Sequence, residues 1–219
     1  MRKILLITIP LLTINLLATD ISNFLNLKNC DQIIDKQIYK ICYSYKHKGA
    51  LAVWYELNGD LVHTKNIKKR TRFYNEKSIP MKYRTKYKDY TNSGYDRGHL
   101  APDANFDYDK KSLTKTYTMA NIVPQSPDFN RRIWLKAEKY ERQIASKLNT
   151  AYVINLVDYN NFPEKIGDNI SVPFSFTKII LNDNHNFQKC LRYENAQKIE
   201  AKGNKLKNHT VECSTLKKD

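Results

Sequence analysis

The chain predicts an α+β fold, and three features predict it. Residues 50–57 (Ala-Leu-Ala-Val-Trp-Tyr-Glu-Leu) are an apolar run of strand length. Residues 128–148 carry a helical apolar period, and two more strand-like runs, 151–157 and 171–181, follow it. Strands on either side of one long helix, with no regular β-α alternation, suit a sheet that packs helices against it.

Taken in order, the N-terminus comes first. Arg2 and Lys3 precede a mostly apolar stretch, Ile4 to Leu17, broken by Thr8, Pro10, Thr13 and Asn15 and followed by Ala18. A short basic segment, an apolar run and a small residue form a secretory signal peptide over residues 1–18. The run is too short and interrupted for a comfortable membrane span. An uncleaved N-terminal anchor is the alternative. Residues 19–219 are then expected to form one domain, with ample length to bury a core.

Four cysteines agree with export. Cys30 and Cys42 lie close in sequence, as do Cys190 and Cys213. Four cysteines allow three connectivities, and local pairing is the simplest. A zinc site including His209 is the rival, but zinc ligands usually come two within a few residues, and these do not. Disulfides and an oxidising compartment are favoured.

The strand at 50–57 ends at Asn58-Gly59-Asp60, a turn signal, and Leu61 to Asn66 is the expected hairpin partner. From Lys65 to Tyr95 the chain is basic and tyrosine-rich. Tyr83, Tyr87, Tyr90 and Tyr95 are interleaved with Lys68, Lys69, Arg70, Arg72, Lys82, Arg84, Lys86 and Lys88. Such a mixture suits a phosphate-facing surface with rings that stack on bases, and equally an ordinary solvated loop. In the helix, Ile133, Ala137, Tyr140, Ile144 and Leu148 share one side, and Asp128 is placed to cap the start.

Thirty-seven Lys and Arg against 22 Asp and Glu give a net charge of +15. That surface attracts polyanions, nucleic acid or anionic membrane, although charge alone does not choose between them.

Chemistry concentrates in Gly94-Tyr95-Asp96-Arg97-Gly98-His99-Leu100-Ala101-Pro102 and in Asn121-Ile122-Val123-Pro124-Gln125, running on to Asn130, Trp134 and Glu138. A histidine has the unperturbed pKa to take a proton from water near neutral pH. An arginine two residues away can bind a phosphate and balance the charge that grows on it. Asn130 offers a neutral oxygen of the kind Mg²⁺ accepts alongside several waters. Eight residues of helix rise roughly 12 Å, so Asn130 and Glu138 do not easily ligate one metal directly. Asn130 as ligand, with Glu138 reaching a metal-bound water, is the more reasonable arrangement. Alone, Glu138 would read as a solvent-facing helix carboxylate.

Tyr-Asp-Arg-Gly-His-Leu-Ala-Pro, the Asn-Ile-x-Pro-Gln segment and Asn130 followed by Trp134 and Glu138 resemble the DNA/RNA non-specific endonucleases, from about Val53 to Leu181. The resemblance implies a ββα-metal nuclease core on a mixed, mainly antiparallel sheet with flanking helices. It implies His99 as the general base, Arg97 as the stabiliser of the transition state and Asn130 as the direct protein ligand of Mg²⁺, with Mn²⁺ as an alternative. It likewise implies that Glu138 orients the metal's waters and that Asp96 and Asn121 organise the site. A further phosphate-binding arginine is expected at Arg70 or Arg72, which the alignment does not separate. DNA and RNA are the implied substrates and 5′-phosphate ends the implied products; some members are homodimers. The family's Thr-Gly turn near Val153 is replaced here by Ile154-Asn155-Leu156, which puts loop shape in doubt but not the catalytic set. Three other readings compete: a non-catalytic nucleic-acid-binding protein, a cationic membrane-associated protein, and a nuclease toxin. Intact His99, Arg97 and Asn130 argue against the first, the ordered His–Asn–Glu set against the second, and the signal peptide against the third.

Overall fold

The computed structural model describes residues 21–64, 66–196 and 204–217. The segment read as a signal peptide lies outside the described residues, as does Lys65. No described helix is long and apolar enough to cross a membrane.

Seven strands form the main sheet: β1 (Gln32–Asp35), β2 (Lys40–Ser44), β3 (Gly49–Asn58), β6 (Thr150–Asp158), β9 (Ser175–Asn182), β10 (Phe187–Glu194) and β11 (Thr210–Val211). They lie side by side in that order, and each neighbouring pair is antiparallel. Two small ribbons stand apart, β4 (Asp96–His99) with β5 (Ile122–Gln125) and β7 (Lys165–Ile166) with β8 (Ile170–Ser171). The helices are α1 (Lys110–Thr116), a π-helical turn over Phe129–Trp134, and α2 (Leu135–Leu148) that continues it. The fold is α+β, and β4, β5 and the long helix form its ββα core.

Alternation along the strands gives the sheet two buried faces. Val53, Tyr55, Leu57, Val153, Ile180, Leu191 and Tyr193 face the long helix, where Phe129, Trp134, Ala137 and Ile144 close the main core. Ala52, Trp54, Ile154, Ile179 and Leu181 face the other way and are covered by Ile21, Phe24 and Leu25. Each large aliphatic or phenyl side chain buried this way stabilises the fold by roughly 1.5–3 kcal/mol. The bridges Cys30–Cys42 and Cys190–Cys213 are both local, as the simplest pairing had it, and both attach to this second face.

Three expectations are corrected. The described residues of Leu61 to Asn66 form no strand: Leu61 and Val62 donate to the Asn58 carbonyl in a turn. The reason is that β3 already pairs with β2 on one side and β6 on the other, so it has no open edge. Gly59 instead lies under the end of α2, where a Cβ would come within 2.4 Å of the Ala145 carbonyl oxygen. The run 171–181 is broken at Pro173, which has no N–H for a ladder; the chain before it joins β8 and the chain after it joins β9. Finally, Asp128 does not cap the helix, since its own backbone is helical (φ −67°, ψ −40°) and its side chain caps nothing. The strand at 50–57, the strand at 151–157 and the apolar helix side appear as expected.

Candidate active site

Side chains alternate along β4, so Arg97 and His99 leave one side while Asp96 and Gly98 leave the other. Gly98 has no room for a side chain: a Cβ there would meet Gln125 Oε1 at 2.2 Å. The ribbon therefore closes tightly, with His99 opposite Ile122 and Asp96 opposite Gln125.

The backbone around His99 is held from several directions. Asn121, fully buried, accepts from the Ala101 N–H (2.8 Å) and donates to the Ala101 and Thr116 carbonyls (2.9 Å each). Trp134 Nε1 donates to the His99 carbonyl at 3.3 Å, tying β4 to the start of the long helix. The His99 ring packs against Phe73 and Tyr117, with centroids 5.6 and 5.0 Å away. Burial pushes its pKa down to about 4; Asp103 opposes that shift and Arg70 adds to it. Near neutral pH the imidazole is therefore uncharged and able to accept a proton.

Asn130 sits in the π turn, a local widening that is often found at functional sites. In an unbroken α-helix, eight residues would turn Glu138 roughly 80° from Asn130 at about 100° per residue. A wider turn advances less per residue and narrows that angle. Asn130 Nδ2 donates to Asp96 Oδ2 at 2.9 Å, which leaves Oδ1 as the free donor atom. Asp96 also receives a forked pair of bonds from Arg131, 2.9 and 2.7 Å.

Glu138 is half-buried rather than solvent-facing. Burial pushes its carboxyl up to about 8, with Lys178 opposing and Glu141 adding to the shift. A carboxyl so placed is short of positive charge. No group of three or more His, Cys, Asp or Glu among the described residues could hold a metal ion. The donor set, one neutral oxygen on Asn130 and one enclosed carboxyl on Glu138 whose ionised form a nearby cation would favour, fits a hard cation that keeps most of its water shell.

The arginines divide. The Arg97 guanidinium lies over the Tyr87 ring, its Cζ 3.7 Å from the ring centre, and donates to the Tyr87 carbonyl at 3.3 and 3.1 Å. Arg70 pairs with Asp103 (3.2 Å) and Asp107 (3.0 Å). Arg72 is exposed and has no ion pair or hydrogen bond among the described residues. The interleaved tyrosines divide too: Tyr90 is buried, Tyr83 stacks on Tyr45, Tyr95 bonds Glu164, and Tyr87 presents an exposed ring.

Sequence reasoning missed Asp103, Tyr117, Arg142 and Lys178. Lys178 is fully buried in an ion pair with Glu141, with its ammonium 4.4 Å from the centre of the Trp134 ring. Glu141 also accepts from Tyr55 (2.8 Å) and Asn105 (2.5 Å), and Arg142 bonds the other end of the Asn105 amide at 2.7 Å. Arg142 carried a usable signal, its position four residues after Glu138 on the same helix. The others lie in no motif.

The sequence is similar to known nucleases. Mitochondrial endonuclease G of Homo sapiens is 31% identical over 122 residues, which are 56% of this chain and 41% of that protein. A nuclease of Nostoc sp. is 29% identical over 147 residues, 67% of this chain and 53% of that protein. The chain thus matches about half or less of the length of these relatives. The solved structure of an EndoG/EndoGI complex superposes with a TM-score of 0.78 at 22% identity, covering 91% of this chain and 87% of that one, and so shares the fold. The profile of the DNA/RNA non-specific endonucleases matches residues 19–218, and this chain belongs to that family.

Proposed function

We propose that this chain is a secreted or periplasmic, divalent-cation-dependent endonuclease that cleaves DNA and RNA without sequence preference. The observation that carries the reading is the ββα core, which presents an uncharged His99 on β4 beside a helix bearing Asn130 and Glu138.

His99 takes a proton from the water that attacks phosphorus. Arg97, two residues back on the same side of β4, turns from Tyr87 to the phosphate and balances its growing negative charge. Asn130 would hold Mg²⁺ or Mn²⁺ through Oδ1, with Glu138 accepting hydrogen bonds from its waters. A cation bound there supplies charge neutralisation at the phosphate and at the departing 3′ oxygen, which leaves 5′-phosphate ends. Asp96 keeps Asn130 aimed, and Asn121 keeps the turn after His99 in place. Contacts confined to phosphate give affinity without base preference. Two disulfides and the basic-then-apolar N-terminal sequence support an oxidising, exported setting.

The test is nicking of supercoiled plasmid and degradation of RNA by the purified protein. It is run with Mg²⁺, with EDTA, and with His99→Ala and Asn130→Ala. Cleavage of both polymers by the wild type, abolished by EDTA and lowered about 10²–10⁴-fold by His99→Ala, is the expected result. Binding of DNA without cleavage under every divalent cation tried would make this a binding protein.

A further inference from the structure

The His99 backbone is fixed by the ribbon, Asn121 and Trp134, yet its side chain makes no hydrogen bond. Among the described residues neither ring nitrogen has a partner, and Nε2 is enclosed. A histidine acting as general base commonly has one nitrogen oriented by an acceptor. Here two rings confine it instead. Phe73 lies at 36° to the imidazole, and Tyr117 meets it edge-on at 72°.

Tyr117 is itself fixed. Its hydroxyl donates to Asp103 Oδ2 at 2.6 Å, and burial holds its pKa well above the ordinary value, so the donor proton stays. Asp103 Oδ2 is braced in turn by Arg70 Nε at 3.2 Å. Arg70 Nη1 is anchored to Asp107 Oδ2 (3.0 Å) and to the Ile67 carbonyl (2.9 Å). Two carboxylates thus hold one guanidinium, so its charge and its Nε and Nη1 donors are already engaged within the protein.

We propose that Arg70, Asp103 and Tyr117 are positioning residues, a relay that sets the His99 ring through the Tyr117 edge, and that Arg70 serves this relay rather than gripping phosphate. The χ2 torsion of an imidazole is broad, so a ring without hydrogen bonds takes its angle from its neighbours. Loss of alignment at a reacting group slows chemistry without weakening substrate binding.

The kinetic arm of the test rests on the nuclease reading. Tyr117→Phe keeps the ring and the charge balance but cuts the link to Asp103. It lowers kcat about tenfold, leaves KM unchanged and leaves the unfolding midpoint near that of the wild type. Arg70→Gln lowers kcat while the salt dependence of DNA binding stays as in the wild type. The His99 imidazole ¹H–¹⁵N signals broaden or shift in Tyr117→Phe. Unchanged kcat with unchanged His99 signals in Tyr117→Phe overturns the relay. So does an Arg70→Gln variant that raises KM and reduces the salt slope by about one, the mark of a lost phosphate contact. If the wild type cleaves nothing, the nuclease reading fails, and the His99 signals of Tyr117→Phe still decide the relay.

Discussion

Removing the Lys178 charge should destabilise the protein, and removing its partner's charge as well should restore part of the loss. Both side chains of the Lys178–Glu141 pair are completely enclosed. In Lys178→Met the Glu141 carboxylate loses its counter-charge but keeps two donors, Tyr55 and Asn105. Breaking a buried pair from one side costs about 3–5 kcal/mol. Those two bonds place this case near the middle, about 4 kcal/mol, part of it the lost contact between the ammonium and the Trp134 ring. For a chain of this size the loss lowers Tm by roughly 8–16 °C. Adding Glu141→Gln to Lys178→Met leaves a neutral oxygen for Tyr55 and Asn105 and removes the stranded charge. The double variant should therefore be about 2 kcal/mol more stable than Lys178→Met. Urea unfolding of the wild type, both single variants and the double variant measures the coupling directly. A double variant that loses the sum of the two single effects, or a Lys178→Met loss below about 1 kcal/mol, would refute the argument.

Two other perturbations follow from the structure. Burial lowers the His99 pKa to about 4, so the native state binds fewer protons than the unfolded chain, whose histidine titrates near 6.5. Stability is therefore full above about pH 6.5 and falls as pH drops toward 4, with His99 contributing roughly 2–3 kcal/mol of the loss by pH 4.5. His99→Gln should flatten that decline in urea titrations at pH 7.5 and 4.5; an equal decline in both proteins would show that His99 is not the group responsible. Replacing both cysteines of either bridge with alanine should cost about 3 kcal/mol, given loops of 12 and 23 residues. Unfolding midpoints check this, and a double loss below 1 kcal/mol for both bridges together would mean that the covering segments hold by packing alone.

Much of the site was legible in the sequence because its chemistry is local. Arg97 and His99 share one short strand, and Asn130, Trp134 and Glu138 share one continuous helical segment, so the family resemblance could be read from short motifs. The strand at 50–57, the strand at 151–157 and the apolar side of the long helix were legible for the same reason, since each satisfies its pattern within one segment. Pairing was not. Whether Leu61 to Asn66 makes a strand depended on β6 taking the edge that a hairpin would have used, and β6 is about ninety residues away in the chain. The strands β1 and β2 went unread because their pattern is blurred: Ile33 points outward while Ile34 points in.

The sequence by itself offered the candidate residues for proton-accepting, phosphate-binding and cation-binding chemistry, because those capacities belong to the side chains. The tertiary structure decided what each of them is free to do. It spends the Arg70 charge on two carboxylates, lays Arg97 on Tyr87, buries Glu138 until its pKa rises, and leaves the His99 ring without a hydrogen bond. These outcomes depend on burial and on partners brought together from distant segments, and neither is encoded within any one stretch of the chain.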